Sequence, residues 1–176
     1  MSAFISGGCK NGKSAWALRI VSAWPGPRYY VATMIPRDGE DRARVERHRL
    51  ERAGLGFATI ERGTDILGAL DAADPRGSFL LDSVTALLAN EMFPPGGVDA
   101  GAADRVAGAL EAFVRRAPNT VLVSDFIYSD AARYDPLTEA YRQGLARVDR
   151  RLAAACDTVL EVVAGQIIVH KGEFPL

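Results

Sequence analysis

The segment that most constrains this chain is Gly7-Gly8-Cys9-Lys10-Asn11-Gly12-Lys13-Ser14, set between the apolar run Ala3–Ser6 and a stretch of helical period beginning at Lys13. It satisfies the spacing Gly-x4-Gly-Lys-Ser, which builds a phosphate-binding loop when a strand precedes it and a helix follows. Glycines admit backbone angles and close approaches that a Cβ would block. Successive amide N–H groups can then converge on phosphate oxygens at the positive end of the helix. Lys13 would set its ammonium against the β and γ phosphates, and Ser14 would offer its hydroxyl to Mg²⁺. Gly7, Gly8, Cys9, Lys10, Asn11, Gly12, Lys13 and Ser14 are therefore expected to hold ATP or GTP together with Mg²⁺.

The rest of the pattern suits such a loop. Short apolar runs at Tyr29–Thr33, Gly56–Ile60, Phe79–Asp82, Thr120–Ser124, Thr158–Val163 and Ile167–His170 read as strands. They alternate with helical segments at Lys13–Ala23, Asp38–Ala53, Asp65–Ala72, Val84–Glu91, Ala103–Arg116 and Pro136–Ala155. Alternation of this kind predicts βαβ units and an α/β, P-loop NTPase-like three-layer fold around a mostly parallel sheet. Leu137, Tyr141, Leu145, Val148 and Leu152 recur at helical spacing, with Asp135 as cap and Pro136 in the first turn. The last two strands, separated by Ala164-Gly165-Gln166, read as a C-terminal hairpin. No linker divides the 176 residues, so one domain is expected over 1–176.

Composition narrows the function classes. Twenty-one basic residues against 22 acidic ones leave a net charge of −1, which argues against general nucleic-acid binding. Cys9 and Cys156 lack the spacing of a zinc site or a disulfide framework, which fits a reducing cytoplasm. No apolar run approaches the roughly 20 residues of a membrane span, and the first residues lack the pattern of a signal peptide.

Two further features carry chemistry. The apolar run Phe79-Leu80-Leu81 ends in Asp82, placed as the second Mg²⁺ contact usual in P-loop proteins. The segment Arg37–Arg52 holds six arginines among five acids, with His48 in its middle. Arg44, His48 and Arg52 are four residues apart and share a helical face. A histidine among guanidinium groups can attack or receive a phosphoryl or nucleotidyl group whose charge those cations stabilise. Read from pattern alone, a solvated helix with an incidental histidine is the alternative. His170, on the expected last strand, reads as structural.

Together these residues resemble one family, the bifunctional adenosylcobinamide kinase / adenosylcobinamide-phosphate guanylyltransferases of cobalamin assembly. The resemblance runs through Ile5-Ser6-Gly7-Gly8-Cys9-Lys10-Asn11-Gly12-Lys13-Ser14 and Tyr30-Val31-Ala32-Thr33. It continues in Asp38-x-Glu40 … Arg44-Val45-x-x-His48-Arg49-x-x-Arg52, in Phe57-x-Thr59-x-Glu61, where the family usually begins with Trp, and in Leu81-Asp82-Ser83-Val84-Thr85 … Asn90. It implies that His48 becomes covalently linked to GMP. It also implies nucleotide contacts from the loop, from Ala32, Thr33 and Met34, from Arg49, Leu50, Glu51 and Arg52, and from Glu61 and Asp82. The implied activities are phosphorylation of the aminopropanol hydroxyl of adenosylcobinamide, a corrinoid, and transfer of GMP from GTP to give adenosyl-GDP-cobinamide. A trimeric homo-oligomer is implied as well.

The second half departs from the family pattern. After Val121-Leu122-Val123-Ser124 the family usually shows Glu-Val-Gly-x-Gly, whereas this chain reads Asp125-Phe126-Ile127-Tyr128-Ser129. The acid survives, but both glycines are gone, which predicts a different loop path over Asp125–Pro136. Farther on, the usual Phe-Arg-Asp-x-x-Gly-x-x-Asn-Gln becomes Tyr141-Arg142-Gln143-x-x-Ala146-x-x-Asp149-Arg150. These departures leave open an alternative: a P-loop kinase or nucleotidyltransferase with one activity lost or a different acceptor. A non-catalytic GTP-binding protein is the third reading, which the placement of His48 among arginines disfavours.

Overall fold

The strands carry apolar residues on both faces. In β1 (Ala3–Gly7), Ala3 and Ile5 enter one core and Phe4 the other; in β4 (Ser78–Asp82), Leu80 opposes Phe79 and Leu81. A sheet covered on both faces is what parallel α/β architecture requires. The computed structural model describes residues 1–176. Its remaining strands are β2 (Arg28–Ala32), β3 (Phe57–Glu61), β5 (Thr120–Val123), β6 (Thr158–Val163) and β7 (Gln166–Lys171). They form one seven-stranded sheet in the order β3-β2-β4-β5-β1-β6-β7, parallel throughout except for the antiparallel β6–β7 pair.

Helix α1 (Lys13–Ala23) covers one face, burying Ala17, Leu18, Ile20 and Val21 against Ile5, Leu80 and Val123. The opposite face takes α3 (Val84–Met92), α4 (Ala102–Arg116) and α5 (Pro136–Ala155). That side holds the larger core, 24 buried residues against 12, so most of the hydrophobic stabilisation lies there. Helix α2 (Gly39–Glu51) belongs to neither layer. Asp38 caps it by accepting the Asp41 N–H at 2.9 Å, yet none of its 13 residues is buried. Its sequence lacks an apolar stripe wide enough to dock on a sheet.

The three-layer expectation is met, with local differences. Asp65–Ala72 forms a short 3-10 helix over Ile66–Ala72 rather than an α-helix. Asp65 enters it with φ 47° and Gly68 lies near its middle, so propagation is poor and the Gly68 N–H bonds Asp65 O, three residues back. The hairpin turn has two residues, Ala164 and Gly165, both with positive φ, and Gln166 already belongs to β7. That turn matches the twist of the flanking strands. Leu137, expected on the apolar stripe of α5, is exposed, because the stripe reaches the core only from Tyr141 onward. No helix is long and apolar enough to cross a membrane.

Because β1, β4 and β5 are adjacent and parallel, the segments leaving their C-terminal ends open on the same edge of the sheet. Those segments carry Lys13, Asp82 and Asp125.

Candidate active site

The loop between β1 and α1 has the geometry its sequence predicts. Gly12 has φ 89° and Lys10 has φ 59°. At Gly7 a Cβ would lie 2.5 Å from the Val162 carbonyl oxygen, so β6 leaves room only for glycine. Gly12 caps α1 without a side-chain acceptor, and the first turn has no acidic residue, which leaves its amides open to an anion. Lys13 is nearly buried; its ammonium donates to Gly8 O at 2.6 Å and pairs with Asp125 Oδ1 at 2.8 Å.

Asp82, at the end of β4, accepts from Ser14 Oγ at 2.9 Å and from Tyr30 OH at 3.1 Å. Burial, reinforced by the Asp82 charge, pushes the Tyr30 phenol well above its ordinary range, so it stays a donor. Ser14 and Asp82 supply a hydroxyl and a carboxylate side by side at the mouth of the loop. Hard oxygen donors in that number fit Mg²⁺, which keeps several waters and takes the rest of its shell from substrate phosphates.

Helix α2 closes the other side. A cleft of about 460 Å³ is lined by the loop from Cys9 to Ala15, by Asp82, Ser83 and Asp125, and by Glu40, Arg44, Arg47, His48 and Glu51. Those five helical residues follow spacings of four, three, one and three, so they form one face of α2. Glu51 Oε2 lies 3.1 Å from His48 Nδ1. The helix is held at its C-terminal end by Arg52, whose guanidinium stacks 4.1 Å from the Tyr30 ring centroid and donates to Thr59 Oγ1 at 3.2 Å. Beneath α2 a smaller cavity of about 50 Å³ continues the cleft, reaching Ala32, Met34, Glu61 and Ala86.

Most of the expected site residues are thus brought together. Lys13, Ser14, His48, Glu51 and Asp82 line the main cleft, and Ala32, Met34, Arg52 and Glu61 line the smaller one. Thr33 lies just behind, fully buried, where its hydroxyl donates to Ser83 O and accepts from Ser83 N, each at 2.7 Å. Arg49 and Leu50 line neither cleft. The Arg49 side chain is 73% exposed and Leu50 67%, because they follow His48 on turns of the helix that face away. Sequence reasoning put Arg44 on the face of His48 but left out Tyr30, Arg47 and Asp125 as ligand-facing residues. Extending that helical face by one residue would have found Arg47.

The departure from the glycine pattern is accommodated without strain. No residue from 125 to 135 has a positive φ. Arg142, nearly buried on α5, holds this segment: it donates to Ile127 O at 2.9 Å and Asp130 at 3.0 Å, pairs with Glu139 at 2.8 Å and stacks on Tyr134. Behind the cleft, Asp149 is 2% exposed and accepts from Ser124 Oγ at 2.9 Å and Tyr128 OH at 3.1 Å. Burial pushes its carboxyl up to about 7 from the usual 3.8, against the pull of those two hydrogen bonds; the charge of Asp125 adds to the rise.

A phosphate loop, a carboxylate at its mouth and a histidine helix facing both occur in a chain of which residues 3–169 match the cobinamide kinase / cobinamide phosphate guanyltransferase family. The chain belongs to that family. Two curated relatives are bifunctional adenosylcobalamin biosynthesis proteins. The one from Salmonella typhimurium is 29% identical over 94% of this chain and 97% of its own length. The one from Escherichia coli is 30% identical over the same shares. Among solved structures, the RadB recombinase superposes with a TM-score of 0.54 over 99% of this chain and 82% of its own, at 16% identity. That likeness concerns the fold, a P-loop NTPase architecture. Family membership makes the chain a transferase of cobinamide metabolism.

Proposed function

We propose that this chain, acting as one unit over residues 1–176, phosphorylates adenosylcobinamide with ATP or GTP. We propose also that it transfers GMP from GTP to the resulting phosphate through His48. The observation that carries this reading is the shared cleft: the phosphate loop and His48 line opposite walls of one opening. A guanylyl group needs its β and γ phosphates held and its α phosphorus presented to a nucleophile. Lys13 and the amides of the loop provide the first, and Ser14 and Asp82 would hold a Mg²⁺ that offsets the phosphate charge. His48 provides the second.

The hydrogen bond to Glu51 supports the choice of atom. With Nδ1 engaged by the carboxylate, Nε2 keeps the lone pair that attacks phosphorus. The N–P bond forms as the bond to the pyrophosphate oxygen breaks, and pyrophosphate leaves. An oxygen of cobinamide phosphate then attacks the same phosphorus, and the imidazole departs. Arg44 and Arg47 sit where the negative charge of both steps gathers. Ala32, Met34, Arg52 and Glu61, which line the smaller cavity, border the cleft where the remainder of the nucleotide would lie. A helix without one buried residue is also in keeping with a neighbouring subunit in a trimer, which light scattering would reveal as three times 18.9 kDa.

The test uses α-labelled GTP with Mg²⁺. The wild-type chain should acquire an acid-labile, base-stable label that His48→Ala abolishes, while His48→Ala should still phosphorylate adenosylcobinamide, because phosphoryl transfer on a phosphate loop needs no covalent histidine. A label that survives His48→Ala would remove the histidine from the mechanism.

A further inference from the structure

The phosphorylation step needs a group that takes the proton of the acceptor hydroxyl, and His48 is committed elsewhere. We infer that Asp125 is that general base; the inference rests on the kinase half of the function proposed above. Its carboxylate lines the main cleft and touches the Lys13 ammonium at 2.8 Å. Lys13 is the residue that meets the β and γ phosphates, so Asp125 stands one side chain away from the phosphoryl group to be transferred.

The surroundings fix it there. The Asp125 N–H donates to Thr85 Oγ1 at 2.8 Å, and the Thr85 carbonyl in turn accepts from Tyr141 OH at 2.8 Å. On either side, Ser124 N–H donates to Ile5 O and Phe126 N–H donates to Gly7 O, each at 2.9 Å. The residue is therefore bound to the same strand that launches the phosphate loop, and the spacing between carboxylate and loop is held by backbone. A base must be positioned to this tolerance before its chemistry counts.

Electrostatics sharpens the case. A carboxylate beside a triphosphate repels it and competes with it for Lys13, so for binding alone Asp125 is a liability. Proton abstraction explains its presence. When nucleotide arrives, Lys13 exchanges Asp125 for phosphate oxygen and the carboxylate is released to face the acceptor. The oxygen of the acceptor forms a bond to the γ phosphorus, the bond from γ phosphorus to the β–γ bridging oxygen breaks, the nucleoside diphosphate leaves, and the hydroxyl proton passes to Asp125.

The experiment compares wild type, Asp125→Asn and Asp125→Glu, measuring ATP affinity with a fluorescent analogue and turnover with adenosylcobinamide. Asp125→Asn should bind ATP as tightly as wild type or tighter, since Lys13 loses its competing partner, while kcat for phosphorylation falls about 100-fold or more, the range of general-base catalysis. Asp125→Glu, carrying the acid usual in the family, should recover to within about tenfold of wild type. Near-wild-type turnover in Asp125→Asn overturns the assignment. So does a loss matched by an equal loss of ATP affinity, which would make Asp125 a holder of Lys13. A wild-type chain that binds ATP yet leaves the acceptor unphosphorylated overturns the proposed kinase activity itself, and this inference with it.

Discussion

Asp149→Asn should make the protein more stable in alkaline buffer, by an amount that follows from where its carboxyl sits. The group is 2% exposed, and burial lifts it from 3.8 to about 7. A carboxyl whose folded value is raised gives its full stability below about pH 4, where it is protonated in both states. It loses that contribution as pH rises toward 7 and beyond, because the unfolded chain ionises first. The interval from 3.8 to about 7 corresponds to about 4 kcal/mol in total, at 1.36 kcal/mol per pH unit. Between about pH 5.5 and about pH 8.5 the wild type should forfeit about 2 kcal/mol of this. Asparagine keeps an oxygen that accepts from Ser124 and Tyr128 and does not ionise. Urea unfolding of both proteins, followed by circular dichroism at several pH values, measures the difference directly. The advantage of Asp149→Asn should widen with pH by about 2 kcal/mol over that window. An advantage that stays flat, or a variant less stable than wild type at about pH 8.5, would refute the burial argument.

Gly7→Ala forces a Cβ to 2.5 Å from the Val162 carbonyl oxygen, so it should lose about 2–3 kcal/mol of stability by chemical denaturation and bind ATP more weakly as the loop shifts. Arg142→Leu removes the donor of three polar contacts and the platform under Tyr134. With Asp130 and Glu139 partly in water, about 2–3 kcal/mol should be lost, and limited proteolysis should cut between residues 126 and 134 far faster than in wild type.

The sheet was legible because its strands are short apolar runs, and all but the last pair are separated by segments too long for hairpins. The phosphate loop was legible because its glycines answer to backbone geometry, which spacing records. The face of α2 was partly legible. Arg44 and His48 are one turn apart, but Arg49 and Leu50 adjoin His48 in sequence and turn away from the cleft, since each step along a helix rotates the side chain by about 100°. Asp125 and Arg142 are different in kind. The pairing of Asp125 with Lys13, and the hold of Arg142 on Ile127 and Asp130, depend on which strands lie side by side and where α5 packs. No local pattern encodes that. The 3-10 turn after Asp65 was misread because an apolar period without a cap looks the same in either helix type.

Strand β5 threads between β1 and β4, so whatever leaves its end opens beside the phosphate loop. The pocket under α2 is lined by the helix itself, by the ends of β2, β3 and β4 and by Ala86, and no residue from 126 to 134 reaches it. Under the proposed function, rewriting residues 126 to 134 should alter the choice of alcohol before it alters the hold on nucleotide, and the glycines this chain lacks fall within that stretch.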